Sequence, residues 1–361
     1  MLRFAWWNLE NLLDLDDDPI SMDFEYTPAY GWTQEVFDFK LYALSRGLIE
    51  LAGDSDLDLL GCCEIEKDTL LQRLVDRAGL GLQAVVDVDG TSDLRGIDTA
   101  MAFNPDTLEV RFTETHVVHL RYATRDLFEV GFRVRATGEE FVAIASHWPS
   151  RRLGRYRSDP LRIAVAEQIA YIVQRHVKLD GAEYEAARAA NDLVRVQAVW
   201  ETPIIIMGDF NDEPSDRSVV DHLCASSELD RVTGETNDID GFKKETADYR
   251  ALDMFLYNPM WRFLHPENVG TYFLSGTSTE NFANRYQVLD QIIVSRGMLK
   301  REGLRLDPDS IAIIRSAHFA TGSGRPRDFS FKKPKQPNGP IPPGGPKGVS
   351  DHLPVTGALL L

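Results

Sequence analysis

The chain has 361 residues, 43% of them hydrophobic and 26% charged, with a formal net charge of −17. This is the make-up of a globular protein with material for a large core. The acid excess excludes a protein that grips nucleic acid over its whole surface, since phosphate binding relies on Lys and Arg.

Met1-Leu2-Arg3 runs straight into Phe4-Ala5-Trp6-Trp7-Asn8, which reads as a first strand with no signal peptide before it. Gln34 to Gly53 reads as a helix, because Phe37, Leu41, Leu44, Leu48 and Leu51 recur at spacings of four and three. Leu57 to Glu64 is a buried strand carrying Cys62 and Cys63. With Cys224 these make three cysteines, two adjacent, which suit neither a disulfide framework nor a zinc site. Lys67 to Ala78 is a helix with Leu70, Leu71, Leu74 and Val75 inward. Leu82–Val88, Thr99–Phe103, Val110–Phe112, Val117–Leu120, Phe128–Val134 and Phe141–His147 read as successive strands. Arg162 to Trp200 holds two helical stretches, broken near Asp180-Gly181. A strand at 204–207, a helix after Pro214, and strands near 253–257 and 288–294 follow. No apolar run approaches the roughly 18 residues that cross a bilayer, so a cytoplasmic location without membrane contact is expected.

Strands crowd both halves of the chain with helices between them. That fits two packed sheets with helices outside better than one doubly wound sheet. No repeat and no linker divides the chain, so one domain over 1–361 is expected. The segment 321–348 stands apart: 13 of its 28 residues are Gly or Pro, too many for a helix or strand. Arg325, Arg327, Lys332, Lys333, Lys335 and Lys347 against Asp328 give it a local charge of +5. It is either a solvated excursion or a basic lip, and it runs directly into Ser350-Asp351-His352.

Several strands end in acids, amides or imidazoles. Asn8 follows Trp7, Glu64 follows Cys63, Asp209 and Asn211 follow Ile204–Met207, and Asp351 and His352 precede Leu353. One such ending marks only where a strand meets solvent. Four of mixed chemistry suit a hard cation such as Mg²⁺, which takes one or two carboxylates and keeps water and phosphate as its other ligands. By alternation His147 shares a face with Phe141, Ala143 and Ala145, and Asp290 with Ile292 and Val294. A buried Asp290 needs a partner, and an imidazole is a natural one; Asp98 is a weaker case of the same kind. Arg151 and Arg152, just after His147, suit phosphate oxygens, and Lys332 and Lys333 would line the lip.

In this order Trp7-Asn8-Leu9-Glu10-Asn11, Glu64, Ser146-His147-Trp148, Gly208-Asp209-Phe210-Asn211, Asp290 and Ser350-Asp351-His352 resemble the endonuclease/exonuclease/phosphatase superfamily, from residue 3 to about 357. The resemblance implies a four-layer sandwich, two mixed sheets face to face with helices on both outer faces. It implies Mg²⁺ (or Mn²⁺) on Glu64, helped by Asn8, with Asp351 nearby. Asp209 would orient or deprotonate water, and Asn211 would hold the phosphate or the nucleophile. His352 would contact an oxygen or serve as acid/base, oriented by Asp290, and His147 would be the second histidine of the deoxyribonuclease I and sphingomyelinase branches. The expected activity is a nuclease hydrolysing DNA or RNA phosphodiesters. The alternative is a phosphatase or phospholipase-type enzyme acting on a nucleotide, inositol phosphate or sphingomyelin-like head group. A binding module that keeps only the scaffold fits poorly with a complete motif set.

Overall fold

The structure is a computed structural model that describes residues 1–19, 21–85, 95–120, 124–151, 154–234, 242, 245–265, 270–275, 285–300 and 302–361. One sheet has six strands in the order β14 (Arg305–Ile313), β15 (Val355–Leu360), β1 (Leu2–Leu12), β2 (Leu59–Ile65), β4 (Asp98–Phe103) and β3 (Gln83–Ala84). The other has seven: β5 (Leu108–His116), β6 (Leu127–Val134), β7 (Glu140–His147), β8 (Ile204–Asp209), β13 (Asp290–Val294), β10 (Leu256–Tyr257) and β9 (Ala225–Ser226). Both are mixed: β1 runs parallel to β2 and antiparallel to β15, while β8 runs parallel to β7 and antiparallel to β13. A small hairpin pairs β11 (Tyr272–Leu274) with β12 (Arg285–Gln287).

Strand alternation sorts the side chains into layers. Phe4 and Trp6 of β1 meet Ile205 and Met207 of β8, Ala143 and Ala145 of β7, and Ile292 of β13 between the sheets. Ala5, Trp7 and Leu9 point the other way, onto α1 (Gln34–Ala52) and α2 (Asp68–Ala78). On the far side Ile144, Ile204, Ile206 and Ile293 pack under α3 (Arg155–Val177). The result is the four-layer α/β-β/α sandwich. A short helix, α6 (Leu229–Thr233), follows β9. Three others, α4 (Gly181–Ala189), α5 (Leu193–Trp200) and α7 (Thr246–Arg250), share a small separate core in which Tyr184 stacks on Tyr249. Among the described residues no helix is long and apolar enough to cross a membrane.

The expected elements and the structure differ in places, each for a physical reason. Val110–Phe112 belongs to one continuous edge strand that runs to His116, and 117–120 is not a strand. The charged residues Arg111 and Glu114, which suggest a turn, are half-exposed within that edge strand. The stretch 162–200 holds three helices rather than two. The first starts at Arg155 and carries Pro160 inside it, and the second break falls between Ala189 and Leu193. After Pro214 there is only a π-turn, Ser218–His222, and near 253–257 only Leu256–Tyr257 is extended. The last two strands, β14 and β15, give a weak pattern in sequence. Pro308 interrupts β14 at a register shift between Asp307 and Ala312, where an edge strand tolerates it. The expected strand Leu82–Val88 is seen as Gln83–Ala84, and residues 86–94 lie outside the described residues.

Candidate active site

At one end of the sandwich the inner faces of both sheets finish in polar side chains. Asp209 sits in β8 with His147 of β7 opposite it on one side and Asp290 of β13 on the other. Asn8 reaches across from the first sheet, and its Nδ2 donates to Asp209 Oδ2 (3.1 Å). His147 Nε2 lies 3.6 Å from the same oxygen and 3.9 Å from Glu64 Oε1, and His352 Nε2 lies 3.8 Å from Asp209 Oδ2. Residues far apart in sequence thus meet in one pocket: Asn8, Glu64, His147, Asp209, Asp290 and His352.

Two bulges bring Glu64 there. Strict alternation would turn it away from the other sheet, with Leu60 and Cys62, toward the outer helices. Instead Glu64 adopts φ 60, Glu10 φ 53 and Asn11 φ 58, and the β1–β2 register shifts at this point. Beyond the shift Ile65 packs outward with Leu12, Glu64 is re-aimed, and the Asn11 backbone N–H donates to Glu64 Oε2 (3.1 Å). Non-glycine residues in the left-handed region are strained, and bulges are over-represented next to active sites.

Gly208-Asp209-Phe210-Asn211 has a similar local logic. A Cβ at Gly208 would sit 2.6 Å from the Ser146 carbonyl and from the Phe210 ring, so only glycine fits. Phe210 stacks on Trp148 with ring centroids 4.4 Å apart. Asn211, at φ 49, turns its backbone N–H back to Asp209 Oδ1 (3.0 Å), and its Nδ2 donates to the Trp148 carbonyl (3.0 Å). Ser350 Oγ donates to the Asn8 carbonyl (2.7 Å) and accepts from the His352 backbone N–H (3.1 Å), which ties the last motif to β1. His352 Nδ1 pairs with Asp290 Oδ2 (2.7 Å). Asp290 is itself held by Trp6 Nε1 on Oδ1 (2.9 Å), and its backbone N–H donates to Thr271 Oγ1 (3.0 Å). The Tyr272 ring lies 4.9 Å from the His352 ring.

Burial strains this set electrostatically. It pushes Asp209 up to about 7; His352 pulls the other way and Asp290 adds to the rise. Burial also raises Asp351; His352 pulls the other way and Glu64 adds to the rise. For His352 burial acts downward, but the carboxylates of Asp290 and Asp209 outweigh it and hold the imidazole well above its usual range. His147 is driven well below its range by burial, then by Arg95 and His352. Carboxylates gathered this closely favour a positive partner. Asp209, Asp290 and His352 offer ligand atoms all within 4.8 Å of one another, and Glu64 and Asp351 border them, so the donor set fits a divalent cation with oxygen preference.

Sequence reasoning missed Lys40 and Glu10. Lys40 stands inside the apolar stripe of α1, three residues after Phe37 and four before Leu44, and that placement was the available signal. It is fully buried; its ammonium donates to the Val349 carbonyl (2.8 Å) and lies 4.4 Å from the centre of the Phe329 ring. Burial lowers Lys40 to about 8 against the pull of Glu10, Asp351 and Glu64. Burial raises Glu10 to about 8 in turn, while Lys40 restrains it. Glu10 Oε2 accepts from the Phe329 backbone N–H (2.6 Å). Lys40→Met is expected to lower stability by about 1–3 kcal/mol, the range for leaving the buried Val349 carbonyl without its donor. Urea denaturation of the metal-free protein at pH 7 measures it.

The expected phosphate-binding cations divide. Arg151 is engaged with its own loop: Nη2 contacts Asp212 (2.8 Å) and Asp216 (2.5 Å), and Nε donates to the Asn211 carbonyl. It braces the loop that follows Asp209. Arg152 lies outside the described residues. The segment 321–348 forms neither helix nor regular strand, as expected, yet it is no solvated excursion. Phe329 and Phe331 pack edge-on to Trp32, and the Asn338 backbone N–H donates to the Ala29 carbonyl (2.6 Å). Lys332 donates to the Pro343 carbonyl (2.9 Å). Lys333 pairs with Glu25 (2.9 Å) and covers the Tyr26 ring, whose hydroxyl feels the charge of Glu64.

Comparison with known proteins follows the same lines. No curated protein matches the chain in sequence. Among solved structures, the mannosyl-6-phosphatase Bt3783 of Bacteroides thetaiotaomicron VPI-5482 is similar over 100% of both chains at 13% identity, with a TM-score of 0.52. D. rerio TDP2, complexed with single strand DNA product, is similar over 100% of this chain and 99% of its own at 13% identity, with a TM-score of 0.51. At such identities these likenesses speak to the fold alone. The sequence profile of the endonuclease/exonuclease/phosphatase family, however, matches residues 3–359, from the first strand to the last. The chain is therefore a member of the endonuclease/exonuclease/phosphatase family.

Proposed function

We propose that the chain is a Mg²⁺-dependent nuclease that hydrolyses phosphodiester bonds by attack of an activated water. Its family consists of divalent-metal-dependent phosphoester hydrolases, and the substrate and the choice of metal are the further steps. The observation that carries the reading is the fixed pair His352–Asp290 at 2.7 Å, with the other imidazole nitrogen turned to Asp209. Glu64, Asn8 and Asp351 would hold the cation, which supplies charge neutralisation and a lowered pKa for water. Asp209, fixed by Asn8 and Asn211, takes the proton of the attacking water. Asn211 has a second amide hydrogen for a phosphate oxygen. His352, kept in one orientation by Asp290, holds positive charge beside the oxygen where negative charge grows. His147 borders the same oxygen from the opposite strand.

Two observations favour a polymeric substrate. The basic segment 321–348 packs beside the site. The hairpin carrying Tyr272, next to His352, also holds Arg325 over the Phe273 ring at 4.0 Å, a cation on the same side as the site that suits the phosphates of a longer substrate. The formal charge of −17 favours the second reading, a small phosphate ester. The test incubates protein and Mg²⁺ or Mn²⁺ with duplex DNA, single strands, RNA, nucleotides, sugar phosphates and phosphoinositides, with Asp209→Asn as control. Chelator-sensitive cleavage of an oligonucleotide is expected. Phosphate release from monoesters with plasmid and oligonucleotides intact overturns the nuclease. Lys332, Lys333 and Lys335 changed together to Ala should weaken oligonucleotide binding and flatten its salt dependence. On a single strand the log–log slope should fall by about 0.7 for each phosphate that a lysine no longer neutralises. An unchanged slope assigns those lysines to loop structure alone.

A further inference from the structure

Away from the catalytic pocket, a second group of titratable side chains meets where the open end of the seven-stranded sheet passes under the last turn of α3. Glu114 and Glu129 are paired across β5 and β6, and His116 lies two residues beyond Glu114 on the same face. Glu129 is next to Ile144, whose side chain packs under α3, so it faces the helix. His176 comes down from the end of α3. The two imidazoles converge on one carboxylate: His116 Nε2 lies 2.6 Å from Glu129 Oε2, and His176 Nε2 lies 2.5 Å from Glu129 Oε1. On its other side His116 Nδ1 faces Glu114 Oε1 at 3.7 Å.

The proton inventory of this group is awkward. A neutral imidazole has one N–H. If His116 carries it on Nε2, toward Glu129, the Nδ1 lone pair faces the Glu114 carboxylate. If it carries it on Nδ1, toward Glu114, the Nε2 lone pair faces a Glu129 oxygen at 2.6 Å. An imidazolium protonated on both nitrogens satisfies both carboxylates, and a metal ion on Nε2 does the same while the proton stays on Nδ1. A histidine whose outer nitrogen turns to a carboxylate while its inner nitrogen turns to an acceptor has the pattern of a metal ligand.

We propose that His116, His176 and Glu129, with Glu114 behind them, form a second metal site for a borderline transition ion such as Zn²⁺. Two imidazole nitrogens and a carboxylate leave a fourth position for water, as zinc takes them; Mg²⁺ and Ca²⁺ prefer all-oxygen sets. The donors stand on two paired strands and a helix, so their spacing is held by the fold. Glu129 is buried, at 2% exposure, while His176 at 26% and Glu114 at 47% leave an entry from solvent. Donors on one tetrahedral ion with bonds of about 2.0–2.1 Å stand about 3.3 Å apart, so seating the ion turns the imidazoles outward and releases the shared protons. The ion would clamp the edge of the sheet to α3.

The site does not depend on the nuclease reading, and its test does not use activity. Full-length protein is stripped with chelator, equilibrated with a small excess of Zn²⁺ and gel-filtered, and its zinc is counted by mass spectrometry. Wild type is expected to retain one zinc that His116→Gln/His176→Gln loses. Glu64→Gln/Asp351→Asn, altered in the catalytic pocket, is expected to keep it. Zn²⁺ should also raise the melting temperature of the pocket variant, and raise that of wild type by more than that of the histidine variant. Should the double variant fail to fold, His176→Gln alone, at the partly exposed helix end, decides by the same two measurements. Equal zinc content and equal thermal shift in wild type and histidine variant overturn the site, as does a wild type that retains no zinc outside the catalytic pocket.

Discussion

His352→Ala is expected to lower kcat roughly 10²–10⁴-fold, the range for an acid/base or charge-stabilising group, with the fold kept. The imidazole is buried but belongs to none of the apolar clusters, and its removal leaves Asp290 still bound by Trp6 Nε1 at 2.9 Å. Asp290→Asn tests how the imidazole is oriented. An amide can accept from Nδ1–H only with its oxygen turned to His352, which leaves its NH₂ facing the Trp6 N–H, donor against donor. The carboxylate also helps to hold His352 charged, so its loss lowers the imidazole pKa. Activity that needs the protonated ring should then fall off at lower pH than in wild type. The kcat–pH profiles of wild type and Asp290→Asn decide this. An alkaline limb that stays in place shows that His352 does not act as a cation.

How much of this was legible in the sequence follows from which interactions are local. Asp209, His147 and Asp290 end or open plainly apolar strands; counting by twos gives the faces of His147 and Asp290, and the structure pairs all three across neighbouring strands. The direction of Glu64 could not be read that way: it depends on paired bulges at Glu10, Asn11 and Glu64, and left-handed conformations at non-glycine residues carry no reliable signature. Trp6 lies in the core between the sheets, yet its indole N–H also fixes Asp290. Arg151 looked like a phosphate ligand because it follows His147; the loop carrying Asp212 and Asp216 claims it first, across a sequence separation of 61 and 65 residues that no local pattern reveals. The edge strand β14 was hidden by Pro308 and by its acids Asp307 and Asp309. The 321–348 segment was correctly read as irregular. Its order comes instead from Phe329 and Phe331 against Trp32, and from Lys40 reaching the Val349 carbonyl.

Asp209→Asn is expected to lower kcat roughly 10²–10⁴-fold, and its effect on stability should have a pH sign of its own. In the folded, metal-free protein burial lifts the Asp209 carboxyl to about 7 from an unfolded value of 3.8. The native state therefore binds the proton more tightly than the unfolded chain. The stability linked to that proton is fully present below about pH 4 and is lost as pH rises through about 7. Asparagine has no such proton. In chelator, wild type should lose stability between about pH 4 and pH 8 more steeply than Asp209→Asn, so the variant gains on wild type as pH rises. Denaturation midpoints of both proteins across this range measure the difference, and parallel pH curves would show that Asp209 is not the group held protonated by burial. A bound divalent cation favours the ionised carboxylate and should reverse the trend, flattening the wild-type curve toward neutral pH. One side chain would then account for both results: a carboxylate that destabilises the empty pocket by being charged and serves the loaded one for the same reason.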